Sequence, residues 1–206
     1  MSNELDKFEK YFGHLQRIRW SGRLYKSLFS SPLLYLCARY FGSRIVEVGS
    51  GTGRGVLGTF PRSVVGIDIN PLAVEYSKNR GLDVQLINED GSFPIAGGVF
   101  DACILDNVLE HIENPKITLD ECWRSTKQNG GMIIVVPGMF GFDSDPDHKV
   151  YYDEKRLQHL DVRWALVRLF AIPSFFLIKR FSKSMRQYCL VAVYRKLGTR
   201  MHVEGI

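Results

Sequence analysis

Five apolar runs mark out the middle of the chain: Arg44 to Val48, Val64 to Asp68, Val84 to Ile87, Phe100 to Leu105 and Met132 to Val136. Runs this short and this continuously apolar fit strands covered on both faces. Helical stretches fall between them, from Gly53 to Phe60, from Leu72 to Asn79 with Pro71 suited to the first turn, and from about Lys116 to Gln128. Strands alternating with helices predict βαβ units and a parallel sheet. Beyond Pro137 the pattern changes to a loop rich in Gly, Asp and Pro, Gly138 to His148, then a short helix near Asp153 to Leu160. Two β-like stretches follow, Val162 to Phe170 and Arg186 to Arg195, read as strands six and seven; a single long helix from Lys155 to Phe170 is the competing reading. Ile172 to Lys183 mixes apolar residues with Lys179, Arg180 and Lys183 and receives no assignment. No repeat, low-complexity tract or linker divides the chain.

With 206 residues and 45% hydrophobic content, the chain is expected to fold as one globular unit. Cys37, Cys103, Cys122 and Cys189 are scattered, without a C-x-x-C pair or metal-ligand spacing, which argues against a disulfide framework and a zinc site. No export signal or membrane-length apolar run is visible, so a cytoplasmic, soluble protein is expected. The net charge of +5 divides into +3 over residues 1–30, −6 over 31–153 and +8 over 154–206. Basic ends around an acidic centre point to a phosphate, a uronate or an anionic membrane surface, or else to ordinary solvated faces.

The first strand ends in Glu47-Val-Gly49-Ser50-Gly51-Thr-Gly53-Arg-Gly55. Glycines there let the backbone turn tightly beneath a nucleotide-like ligand. The dinucleotide fingerprint fails when counted from Gly49, because the sixth position is Arg54. A match at Gly53-Arg-Gly55-Val-Leu-Gly58 starts too far past the strand and is read as accidental. The phosphate-binding loop pattern fails as well, since no G-K-[ST] follows. Asp68 closes the second strand, where a carboxylate either accepts from ribose hydroxyls or caps the next helix. Asn88-Glu-Asp90-Gly91 follows the third strand and is also a plain Asp-Gly turn. The fourth continues into Asp106-Asn107-Val-Leu109-Glu-His111-Ile112.

Over about residues 40–137 this set resembles the class I S-adenosylmethionine-dependent methyltransferases, whose first motif, acidic-x-G-x-G-x-G, is complete in Glu47, Gly49, Gly51 and Gly53. The resemblance implies an α/β, Rossmann-like methyltransferase fold with a seven-stranded, mostly parallel sheet, helices on both faces and an antiparallel last strand. It divides the single domain into an N-terminal cap (1–40), a cofactor-binding core (41–137) and an acceptor-side loop with C-terminal strands (138–206). S-adenosylmethionine is the implied cofactor, with Glu47, Gly49, Ser50, Gly51, Gly53, Asp68, Ile69, Asp90, Gly91, Asp106 and Asn107 as its implied contacts and Leu109 as packing behind. A ligand carrying ammonium and sulfonium charges favours carboxylates over anion-binding amides, which suits the acidic centre.

Val-Leu-Glu-His-Ile is similar to the branch that modifies small molecules, lipids and sugars. Its Asp106-Asn-Val-Leu replaces the Asp/Asn-Pro-Pro-aromatic of enzymes that methylate exocyclic base amines, so nucleic acid is a less favoured acceptor. If the acceptor is a hydroxyl, His111 and His148 are the candidate general bases; helix packing for His111 and a turn for His148 are the structural alternatives. No metal is expected, although Asp143, Asp145 and Asp147 offer carboxylates. The expected partner is a small-molecule, saccharide or lipid-linked acceptor, anionic if the basic ends converge on it, with peripheral membrane contact as a further expectation. The segment His14 to Lys26 interleaves basic and aromatic residues and either recognises that acceptor or packs as an amphipathic helix. An RNA methyltransferase and a non-catalytic cofactor-binding module are the competing functions.

Overall fold

A computed structural model of the chain describes residues 6, 8–10, 12, 13, 24–173, 177 and 179–198. A π-helical turn, Lys26–Ser30, runs into α1 (Ser31–Arg39). The core follows as β1 (Ile45–Val48), α2 (Val56–Thr59), β2 (Val64–Asp68), α3 (Pro71–Asn79), β3 (Val84–Leu86) and β4 (Phe100–Asp106). A 3-10 turn at Leu109–His111 precedes α4 (Lys116–Ser125), β5 (Thr126–Pro137), α5 (Met139–Asp143), α6 (Glu154–Gln158), β6 (Trp164–Ile172), α7 (Lys179–Ser184) and β7 (Cys189–Lys196). The strands form one sheet in the order β3-β2-β1-β4-β5-β7-β6. β1 to β5 are parallel, and β7 runs antiparallel between β5 and β6. This is the Rossmann-like methyltransferase fold, with its antiparallel last strand.

Alternation along the strands splits the core in two. Val46, Val48, Cys103, Leu105, Met132 and Ile134 face α4 and Tyr152, whereas Ile45, Ala102, Ile104, Ile133 and Val135 face Leu34, Leu57 and Val74 on α1, α2 and α3. Both faces are therefore dry, which is why the central strands read as unbroken apolar runs. The chain leaves β1 outward to β2 and β3 and returns to the other side of β1 at β4. Such a reversal opens a crevice at the carboxyl ends of the strands, the general ligand position in open α/β sheets. Register brings the relevant ends level, since Val48 pairs with both Ile67 and Leu105.

Several boundaries depart from the sequence pattern. The helix expected from Gly53 begins only at Val56, because Gly53 adopts φ +63°, outside the helical range. The helix expected to reach Gln128 stops at Ser125, and Thr126 already pairs with Phe100 in the sheet. The long-helix reading of Lys155 to Phe170 gives way to α6 and β6 because Trp164 to Phe170 pairs along β7. In the unassigned stretch, Ile172 ends β6 and Lys179–Ser184 is helical.

Asn70, not Asp68, caps α3: its Oδ1 accepts from the amides of Leu72 (3.0 Å) and Ala73 (3.4 Å). Asn70→Ala should cost about 1 kcal/mol, the usual worth of a helix N-cap. Denaturant unfolding with an unchanged midpoint would show that the cap contributes nothing.

Candidate active site

The loop after β1 turns through Gly49, Gly51 and Gly53, at φ of +69°, +54° and +63°, a left-handed conformation repeated at alternate positions. Side chains resist that region, and the loop passes under the crevice without projecting into it. Glu47 is buried beneath it, 3% exposed, and its carboxylate accepts from the amides of Val56 (3.2 Å) and Leu57 (2.7 Å) at the start of α2. Gly55 makes this approach possible, since a Cβ there would lie 2.2 Å from Glu47 Oε1. Burial pushes the Glu47 pKa up to about 7, against the lowering effect of the two amides.

Asp68 stands beside the loop at the end of β2. Its Oδ2 accepts from the Gly51 amide at 2.6 Å and its Oδ1 from the Asn70 amide at 2.8 Å. Burial raises its pKa, and these amides oppose the rise. Ile69 follows with 57% of its surface exposed, a large apolar side chain at the mouth of the crevice. Phe8 reaches the same corner, its carbonyl accepting from Asn70 Nδ2 at 3.0 Å. Asp90 is exposed and accepts from the Ser92 amide (2.9 Å) and hydroxyl (2.6 Å), with Gly91 at φ +84° beside it. These bonds are those of an Asx turn and leave the Asp90 side chain at the surface.

At the end of β4, Asp106 is 8% exposed and forms an ion pair with Lys26 Nζ at 2.8 Å. Burial works against the Lys26 charge, but Asp106 outweighs it and the ammonium pKa is raised. Asn107 holds φ +58°, its amide donating to the Val135 carbonyl (3.0 Å) and its Nδ2 to Asp106 Oδ1 (2.7 Å). Asparagine tolerates this left-handed conformation, which Asn129 also adopts at φ +61°, and here it lets the chain turn at the end of β4. Leu109 is fully buried behind them.

His111 and His148 come together, their rings 4.7 Å apart and edge-to-face. Between them in chemistry, though missed as a site residue in the sequence, lies Glu110. It has no exposed surface, and neither carboxylate oxygen has a hydrogen-bond partner. His148 Nε2 lies 3.9 Å from Glu110 Oε1, and burial pushes the Glu110 pKa up to about 8. Burial and the neighbouring His148 both lower the His111 pKa. Lys26 was the other residue missed as a site residue, for nothing local to it signals a partner on β4. Of the basic ends, Arg17, Arg19 and Arg23 in the N-terminal segment lie outside the described residues, and so does most of His14 to Lys26. Arg180 and Lys183 are exposed on α7. Among the described residues, no helix is long and apolar enough to cross a membrane.

A family model described as a methyltransferase domain matches residues 46–134, the segment that holds the glycine loop, Asp68, Asp106 and His111. An uncharacterised protein of Methanocaldococcus jannaschii is 32% identical over 114 residues, 55% of this chain and 51% of its own. A demethylmenaquinone methyltransferase of Renibacterium salmoninarum is 30% identical over 101 residues, 45% of this chain and 40% of its own. The chain thus spans about half or less of the length of these curated relatives. Among solved structures, an S-adenosylmethionine-dependent methyltransferase of Thermotoga maritima superposes with a TM-score of 0.68 at 14% identity, over 92% of this chain and 98% of that one.

Proposed function

We propose, from a chain that carries a methyltransferase domain at residues 46–134, that it transfers a methyl group from S-adenosylmethionine to a small-molecule, saccharide or lipid-linked acceptor. The observation that carries this reading is the pair of buried carboxylates Glu47 and Asp68, gathered around a glycine loop at the point where the strand order reverses, while the third, Asp106, is already matched by Lys26. A dinucleotide would bring a pyrophosphate to that loop and meet repulsion, whereas a ligand bearing ammonium and sulfonium charges meets compensation. The donor set therefore fits the cofactor. Asp68 would hold its ribose, Glu47 and the loop backbone its methionine end, Ile69 the face of its adenine, and Asp106 with Asn107 the side nearest the acceptor. When bound, the sulfonium supplies an electrophilic methyl whose bond to sulfur breaks as the bond to the acceptor atom forms, leaving a neutral thioether.

The chain's own residues then have three tasks. The loop and strand ends fix the line of attack, where most of the rate gain of such a displacement arises. Lys26, tied to Asp106, and Phe8, tied to Asn70, would narrow the crevice and help exclude water. If the acceptor atom carries a proton, His111 or His148, paired beyond the end of β4, would take it. The small-molecule reading draws support from the partial likeness to a demethylmenaquinone methyltransferase. Calorimetry tests the whole: S-adenosylmethionine and its demethylated product should bind in the micromolar range, NAD and ATP far more weakly. A preference for NAD would overturn the reading.

Affinity should also depend on pH through Glu47. Its raised pKa means that, without ligand, the buried carboxyl favours the fold in its neutral form. That contribution is complete below the ordinary glutamate range and is lost as pH rises through about 7. A cationic ligand favours the ionised form, so its association constant should climb by up to about tenfold per pH unit towards pH 7 and then level off. Titrations from acid to mildly alkaline pH check this, with Glu47→Gln expected to flatten the slope.

A further inference from the structure

We propose that Glu110, His111 and His148 form a binding site for one divalent transition-metal ion of the zinc or iron(II) type. Each residue offers one ligand atom, and these atoms lie within 4.8 Å of one another. Bonds of about 2.0–2.2 Å to a shared ion place ligand atoms roughly 3 to 3.5 Å apart, so small side-chain rotations close the site. Glu110 supplies an independent sign of a missing partner. A fully buried carboxylate with both oxygens unpartnered is costly to keep charged, and a cation at this point would offset that cost.

The rings are oriented for the task. His148 Nδ1 is 2.8 Å from the Phe142 carbonyl, and His111 Nδ1 is 3.4 Å from that of Asp147. A carbonyl only accepts, so Nδ1 carries the hydrogen in each ring, and in the neutral ring Nε2 is left with the lone pair, the usual outer support of a metal-bound histidine. His148 is further held by stacking on Phe142 (5.3 Å, 21° between planes). The loop bearing His148 is tied to the 3-10 turn by the amides of Lys149 (2.7 Å) and Val150 (3.1 Å), which both donate to the Glu110 carbonyl. Asp145 Oδ2, 4.0 Å from His148 Nε2, adds negative charge beside the triad.

Two imidazoles and one carboxylate favour a borderline transition metal over magnesium or calcium, which take mainly oxygen. Three protein ligands also leave coordination positions open. On the methyltransferase reading, and only on that reading, an open position would hold a hydroxyl acceptor and lower its proton affinity, and His111 and His148 would then serve as ligands in place of proton acceptors.

Cobalt(II) tests the site in the full chain after metal removal, with neither cofactor nor acceptor present. The expected result is one cobalt(II) per chain, visible absorption bands of a low-coordinate nitrogen and oxygen site, displacement by zinc(II) and no displacement by excess magnesium(II). Glu110→Gln and His148→Ala should each weaken binding about 10 to 100-fold or more; His111→Ala, at a partly exposed position, serves if either variant fails to fold. Absence of stoichiometric cobalt in the unaltered protein, or undiminished binding in folded variants, would overturn the proposal and leave Glu110 as a buried carboxyl beside His148. Such a failure is separable from failure of the methyltransferase reading, because cofactor binding is measured independently of metal.

Discussion

Replacing Gly58 with alanine is expected to lower the stability of the fold by about 2–3 kcal/mol, the upper range for an overpacked interior, and to weaken cofactor binding with it. A Cβ at position 58 would lie 2.0 Å from the Gly53 carbonyl oxygen, which is backbone and has no rotamer to yield. Relief requires α2 to move away from the loop, pulling the Val56 and Leu57 amides off Glu47 and loosening the turn that delivers the Gly51 amide to Asp68. Gly81→Ala is the matched control: its φ of +77° carries a conformational cost of about 1–2 kcal/mol, but the new methyl would touch nothing within 4 Å. Denaturant unfolding of both variants isolates the close approach. Equal losses, or intact cofactor affinity in Gly58→Ala, would show that helix and loop do not depend on each other. The Gly53-Arg-Gly55-Val-Leu-Gly58 spacing, dismissed as a dinucleotide fingerprint, thus acquires a packing role in which its last glycine lets the helix approach the loop.

Asp68→Ala should weaken S-adenosylmethionine binding by about 1.5 to 3 kcal/mol, or about 10 to 150-fold, the scale of losing charge-assisted hydrogen bonds. The side chain holds the Gly51 amide and is the proposed ribose acceptor, so on that proposal its removal both takes away an acceptor and releases the loop beneath the ligand. Asp68→Asn keeps one carbonyl acceptor and should recover part of the loss. Calorimetry on variants whose folding is checked by circular dichroism decides the matter. Unchanged affinity in folded Asp68→Ala would reduce Asp68 to a support for the Asn70 turn.

What the sequence alone determined was whatever is encoded over a few neighbouring residues. The succession of strands and helices along the chain, the glycine turn after β1, the acidic residues at the ends of β1, β2 and β4 and the change of pattern after Pro137 are local signals, because a dry sheet demands continuous apolar runs and a tight turn demands glycine. Boundaries were less legible: positive φ at Gly53 delays α2, and the pairing of Thr126 with Phe100 ends α4 early. Only the tertiary structure decided which charges meet. Lys26 reaches Asp106 because the turn before α1 lies over the end of β4, and Glu110 meets His148 because the loop after α5 folds back onto the 3-10 turn. It also decided which carboxylates lose water, separating buried Glu47, Asp68, Asp106 and Glu110 from exposed Asp90. Sequence spacing carries no record of either, since ion pairing and desolvation depend on distance in space and on what covers a group, and both arise only once the sheet has brought its strand ends level.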